Sequence, residues 1–126
     1  MHVQTKITLM ADDGEKFFGE GPYRLLKGVE RTSSLHQAAQ QMEMSYSKAI
    51  KILKRAEEII GCPLTDRATG GVSGGGSQLT DAGREWMKRY EAYRNACVEA
   101  NRRLYLDFFP EQRQEASLSD GQQRQR

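Results

Sequence analysis

The sequence predicts a mainly α domain with a small β component, and three observations predict it. A short alternating segment at residues 3–9 is followed by a turn signal and an apolar pair, the pattern of a β-hairpin. Residues 34–61 hold two helical periods, each opened by a serine and separated by only a few residues. From Thr80 onwards a single helical period runs for almost thirty residues. With 126 residues and 37% hydrophobic side chains, the chain suits one small core, helped by a partner chain, with a polar tail.

Val3, Thr5, Ile7 and Leu9 alternate with Gln4, Lys6 and Thr8, which predicts a half-buried strand. Asp12-Asp13-Gly14 is the turn, and Lys16-Phe17-Phe18 returns as the second strand. Gly19-Glu20-Gly21-Pro22 interrupts the chain. Pro22 suits the first turn of a helix, and Tyr23, Leu25, Leu26 and Val29 give that helix an apolar stripe ending near Thr32-Ser33.

Ser34 is the expected N-cap of the next helix, with Gln37 three residues on. The small pair Ala38-Ala39 permits a close helix crossing. Glu43-Met44 forms the turn, Ser45 caps the following helix, and Gly61 with Cys62-Pro63 ends it. Two compact helices joined this tightly form a helix-turn-helix, in which the second helix enters the major groove of DNA.

The charges of that second helix point the same way. Ala49, Ile50, Leu53, Ala56 and Ile60 share one face, and Ser47, Lys48, Lys51, Lys54 and Arg55 share the other. The cations crowd the first part, while Glu57 and Glu58 come near the end. The helix dipole favours the opposite order by roughly 0.3–1 kcal/mol per charge. Phosphates against the first turns would offset that penalty; the competing reading is an ordinary solvated basic face. Net charge, at +2, does not decide between them, so the local clustering carries the argument.

Leu64 to Arg67 and Ser77 to Leu79 can pair as short strands around Ala68-Thr69-Gly70-Gly71-Val72-Ser73-Gly74-Gly75-Gly76. A glycine-rich hairpin after a recognition helix suits a wing lying along a phosphate backbone. A nucleotide-binding loop lacks its GK[ST] signature here, and a flexible linker is the plainer alternative. Thr80 caps the last helix, where Trp86, Tyr90, Tyr93, Cys97, Ala100 and Leu104 follow heptad-like spacings. At roughly 40 Å such a helix outruns a small domain. A twofold dimer would cover its stripe; packing back on its own core is the alternative.

The expected domains are therefore residues 1–109, for DNA binding and dimerisation, and a disordered polar tail over 110–126. Cys62 and Cys97 match no metal spacing and suit reduced thiols in a cytoplasmic protein. The N-terminus has no apolar leader and the chain no membrane-spanning run, so the expectation is a soluble, unsecreted protein. His36 lacks a second ligand other than the terminal His2, so no metal is expected. No catalytic constellation is visible, and neither enzyme activity nor a cofactor is expected.

Arg24-Leu25-Leu26, Ser33-Ser34-Leu35, Ala38-Ala39, Met44-Ser45-Tyr46-Ser47-Lys48-Ala49, Pro63-Leu64, the glycine run, Leu79-Thr80 and Gly83 together carry a resemblance. Over roughly residues 3 to 105, the chain resembles the N-terminal DNA-binding domain of molybdate-responsive (ModE-type) transcription regulators, relatives of the LysR-type winged helix-turn-helix. The resemblance implies a winged helix-turn-helix with an N-terminal β-hairpin and a long C-terminal dimerisation helix. It also implies a homodimer on a palindromic double-stranded DNA operator, a recognition helix from Ser45, a wing at 64–79 and dimerisation through the first and last helices. Ile50 stands where many relatives carry tryptophan, a packing change. Only a short polar tail stands where such regulators carry oxyanion-binding domains, so no oxyanion ligand is expected for this chain.

Candidate DNA contacts are Ser45, Ser47, Lys48 and Lys51 first, as donors to phosphate or base edges, with Lys54 and Arg55 towards phosphate. Arg67 and Thr69 are the wing candidates. Tyr46 divides between phosphate contact and core packing. The competing function is a dimeric winged-helix module that binds another protein and no DNA.

Overall fold

The computed structural model describes residues 1–70 and 76–113, with side chains omitted for 67–70. In chain order it comprises β1 (Leu9–Met10), β2 (Lys16–Phe18), α1 (Glu20–Thr32), α2 (Leu35–Gln41), α3 (Tyr46–Ile60), β3 (Thr65–Gly70), β4 (Gly76–Leu79) and α4 (Asp81–Phe108). The backbone divides into two compact units, Ile7–Ala92 and a second made of Met1–Lys6 with Tyr93 onwards.

In the larger unit, β1 and β2 pair antiparallel through Leu9–Phe18 and Met10–Lys16, with an irregularity between. The turn is the expected one: Gly14 adopts φ +87°, and its N–H donates to Ala11 O at 2.9 Å. The first strand is much shorter than the alternation at 3–9 predicts. Only Leu9 and Met10 find a partner, because β2 is three residues long and runs at once into α1. Phe18, at its end, is one of the largest fully buried side chains.

α1 lays Tyr23, Leu25, Leu26 and Val29 into the core, as its stripe predicts. α1 and α2 cross closely. A methyl group added at Gly28 would lie 2.6 Å from Ala38 Cβ, so the small residues on both helices set the spacing. Ser34 caps α2 by accepting from Gln37 N, and Ser45 caps α3 by accepting from Lys48 N, each at 3.1 Å. α3 contributes Ala49, Leu53 and Ala56 to the core and ends in Gly61, at φ +90°. Ile50 and Ile60 pack against that core only partly buried.

β3 and β4 form the expected second hairpin, paired at Thr65–Leu79, Asp66–Gln78 and Gly70–Gly76. Its base is anchored in three places. Ser77 N donates to Ser33 O at 2.9 Å, Leu64 N donates to Glu57 Oε2 at 2.7 Å, and Thr80 N donates to Leu64 O at 3.0 Å. Thr80 then caps α4 by accepting from Gly83 N at 2.9 Å. Gly83 is required for this close approach, since a Cβ there would lie 2.0 Å from Leu64 O. The expected glycine-rich tip at 71–75 lies outside the described residues.

The first part of α4 belongs to the same core. Met87 and Tyr90 are buried, and Trp86 packs on Phe17 and Phe18, with ring centroids 6.4 and 5.9 Å away. Tyr90 is 3% exposed, lies 5.1 Å from the Phe18 ring and donates its hydroxyl to Ile7 O at 2.8 Å. Trp86 and Tyr90, expected at a dimer seam, thus pack within the chain itself. The heptad spacing identified an apolar face, and its first turns are covered by the chain's own hairpin and α1.

In the smaller unit, residues 1–6 form no helix or strand, and Asn101 donates its side-chain amide to Thr5 Oγ1 at 2.8 Å. Glu99 pairs with Arg102 and Arg103, which hold its carboxyl below the usual range, Arg102 most strongly. A further helical turn covers residues 110–113, where Arg113 pairs with Asp107, so the polar tail does not begin unstructured at 110. The remainder of the expected disordered tail, 114–126, lies outside the described residues.

Candidate nucleic-acid interface

α3 presents its polar face as the wheel predicts. Ser45, Ser47, Lys48, Lys51 and Lys54 are exposed, and among the described residues none of the three lysines forms an ion pair with a carboxylate. The Ser45 hydroxyl is already engaged as the helix cap, accepting from Lys48 N, and its own proton remains free to be donated outward. Lys48 is thus the third residue of the helix, held where the unsatisfied N–H groups concentrate partial positive charge.

Arg55 differs from its neighbours. Its guanidinium reaches the first hairpin, pairing through Nη2 with Asp13 Oδ2 at 2.9 Å and with Glu15 Oε2 at 3.1 Å. The Glu15 backbone N–H and this guanidinium hold the Asp13 carboxyl below the ordinary range, and Asp13 in turn raises Arg55. The sequence expectation that Arg55 meets phosphate therefore meets a competing, local partner. Charge so compensated contributes less to a polyanion than the three lysines do.

Tyr46 packs against the edge of the core, one of its two expected positions. It is half-buried, and its ring stacks on His36 from the start of α2, 3.7 Å between centroids and 7° between planes. This pair joins the first turns of both helices of the motif. Sequence spacing could not show it, because the two residues meet only once the turn at Glu43 adopts its left-handed φ of 56°. Arg67 and Thr69 lie on β3, but their side chains are outside the described residues.

Of the residues expected at a dimer seam, Tyr93 is 54% and Leu104 53% exposed, Ala100 is exposed and Cys97 is half-buried. The Tyr93 hydroxyl is pushed up by its hydrogen bond with Cys97. Heptad reading missed Val98, Phe108 and Phe109, which are also exposed large apolar side chains of this unit. Among the described residues no cluster of three or more potential metal ligands occurs, and no helix is long and apolar enough to cross a membrane.

A capped pair of helices with a free basic face on the second, followed by an anchored hairpin, defines a helix-turn-helix module of the DNA-binding class. Residues 23–84 are similar to the bacterial regulatory helix-turn-helix proteins of the lysR family. The chain is also similar to ModE proteins. It is 36% identical over 85 residues to the "Molybdenum transport protein ModE" of Azotobacter vinelandii, covering 64% of this chain and 32% of that one. It is 37% identical over 68 residues to the "Transcriptional regulator ModE" of Haemophilus influenzae, covering 54% and 27%. It is 32% identical over 91 residues to the "DNA-binding transcriptional dual regulator ModE" of Escherichia coli K12, covering 71% and 34%. The chain thus spans about a third or less of the length of these relatives.

Proposed function

We propose that this chain is a double-stranded DNA-binding transcriptional regulator, acting in the cytoplasm by binding and not by catalysis. In this reading α3 enters the major groove and the hairpin β3–β4 serves as the wing along the backbone. One observation carries the reading above the others. Lys48, Lys51 and Lys54 stand exposed, without carboxylate partners among the described residues, on the helix that the motif offers to DNA. Ser45, Ser47 and Tyr46 share its first turn, and Arg67 and Thr69 extend the contact along the wing. Arg55 takes a supporting part, fixing the hairpin to α3.

The active form is a homodimer. Its support is the run of exposed apolar side chains on the far half of α4, namely Tyr93, Val98, Leu104 and Phe108, with Cys97 and Ala100 between them. A palindromic site would match such a twofold pair.

Selection of bound fragments from random duplexes with the purified protein tests the reading directly. A recovered inverted repeat is the expected result. Lys48→Glu with Lys51→Glu should abolish binding to the selected duplex while leaving the sedimentation coefficient unchanged. Unchanged affinity in that double variant would remove α3 from the interface. Binding that is weak at every salt concentration would favour a protein-interaction module instead.

A further inference from the structure

A cavity of about 400 Å³ opens between the first hairpin, the start of α1 and the middle of α3. Its volume falls within the roughly 300–1,000 Å³ typical of small-molecule sites. Phe17, Phe18, Pro22 and Ile52 make its walls largely apolar, while Lys16, Lys51 and Arg55 stand around it against the single carboxylate of Glu20. Lys16 and Lys51 pair with no carboxylate among the described residues. Arg55 lines the same space. The two hairpin carboxylates engage its Nη2, and its Nε is buried with no hydrogen-bond partner among the described residues. With Arg55 matched by those carboxylates and its Nε closed to solvent, the uncompensated cations at the cavity are Lys16 and Lys51.

We infer that this cavity binds a small organic carboxylate, its apolar body between Phe17, Pro22 and Ile52 and its carboxylate drawn by the unpaired Lys16 and Lys51. Apolar walls exclude an inorganic anion as the preferred occupant, since they offer it no compensation for lost water. With Arg55 compensated by Asp13 and Glu15, the two unpaired lysines against the lining carboxylate of Glu20 select against a neutral or cationic ligand. The site shares Lys51 with the surface that the proposed function assigns to DNA, so occupancy and DNA binding compete, and the regulatory part of the inference rests on that reading. A carboxylate that draws Lys51 towards the cavity removes a cation from the phosphate-facing set, which makes the cavity an effector site within the DNA-binding module.

Phenylacetate is a suitable probe and phenylacetamide its neutral counterpart. Amide NMR titration of the DNA-free protein should show saturable shifts for phenylacetate at Lys16–Pro22, Lys51, Ile52 and Arg55, and at least about tenfold weaker binding for the amide. Ile52→Trp, which fills the space, should eliminate the shifts. Lys16→Gln with Lys51→Gln, which removes the two unpaired cations at the cavity, should weaken phenylacetate about tenfold. Equal binding of acid and amide, shifts that map elsewhere, or no saturation up to tens of millimolar would each overturn the site. Saturating phenylacetate should also weaken duplex binding by about threefold to tenfold at fixed ionic strength, and by no more than twofold in Ile52→Trp. Saturable phenylacetate binding with unchanged duplex affinity would refute the regulatory coupling. A protein that bound phenylacetate but no duplex would refute the proposed function and leave the site standing.

Discussion

Replacing Lys48 with glutamate should move stability and DNA affinity in opposite directions. Lys48 is the third residue of α3, and its N–H is already bonded to the Ser45 hydroxyl at 3.1 Å. A glutamate there can return a carboxylate to the Ser45 N–H, completing a reciprocal cap. Removing a cation from the first turn and adding an anion each gain roughly 0.3–1 kcal/mol. The sum is about 1 kcal/mol or slightly more, which at this chain length raises Tm by about 3–5 °C. The duplex meanwhile loses one attractive contact per subunit and gains a repulsive one. Affinity should drop by about 100-fold or more, and the log–log salt slope should become shallower by about 2 for a dimer. Thermal unfolding by circular dichroism without DNA, and fluorescence anisotropy on the selected duplex across a salt series, measure the two sides separately. The stability gain should shrink in high salt, because it is a surface charge effect. A lower Tm for Lys48→Glu, or an unchanged salt slope, would refute the reasoning that this helix is arranged for a polyanion at the expense of its own stability.

Other outcomes follow from particular contacts. Gly83→Ala should cost about 3 kcal/mol or prevent folding, since its Cβ would meet backbone at 2.0 Å, and chemical denaturation reads the loss. Gly28→Ala should cost about 1–2 kcal/mol after its gain in helix propensity, and Ala38→Gly should recover part of that, a coupling visible in a double-mutant cycle. Leu104→Arg with Val98→Arg should abolish the proposed dimer in sedimentation while leaving the NMR spectrum of residues 7–92 largely intact. The Asp13–Arg55 tie should weaken in acid. Because the folded state lowers the Asp13 pKa, its stabilisation is complete above the ordinary aspartate range, about 3.9, and is lost as pH falls through the lowered value. Amide exchange at Ala11–Glu15 should accelerate there, and Asp13→Asn should remove that pH dependence.

Local features were the most legible in the sequence. Ser34, Ser45 and Gly61 bound their helices as read, because caps depend on residues within one turn of each other. Non-local partnerships were less so. The alternation persists as alternating burial over residues 4–9, with Val3 exposed, but a period-2 pattern does not say how many residues find a strand beside them. Trp86 and Tyr90 share a helical period with Tyr93 and Leu104, yet the first two cover the chain's own aromatic cluster. Periodicity reports an apolar face and is silent on what covers it. Arg55 and Asp13 stand 42 residues apart, so nothing in either neighbourhood announced their pairing.

The chain also contains its own control for the charge argument. α1 opens with Glu20 in its first turn and carries Arg31 in its last, and α4 opens with Asp81, all as the dipole favours. α3 has no acid in its first turn and no base in its last, and Lys48 stands where an acid would be favourable. α2 likewise has neither, and α4 has no base in its last turn, but α3 differs in opening with a lysine that no carboxylate neutralises among the described residues. The one cation of its polar face with a carboxylate partner among the described residues is Arg55, the most distant of them from the Ser45 cap. The cations nearest the cap remain unneutralised, where neutralising them would have been most favourable for the isolated protein. Their arrangement is that of a surface whose counter-charge is supplied by a second molecule.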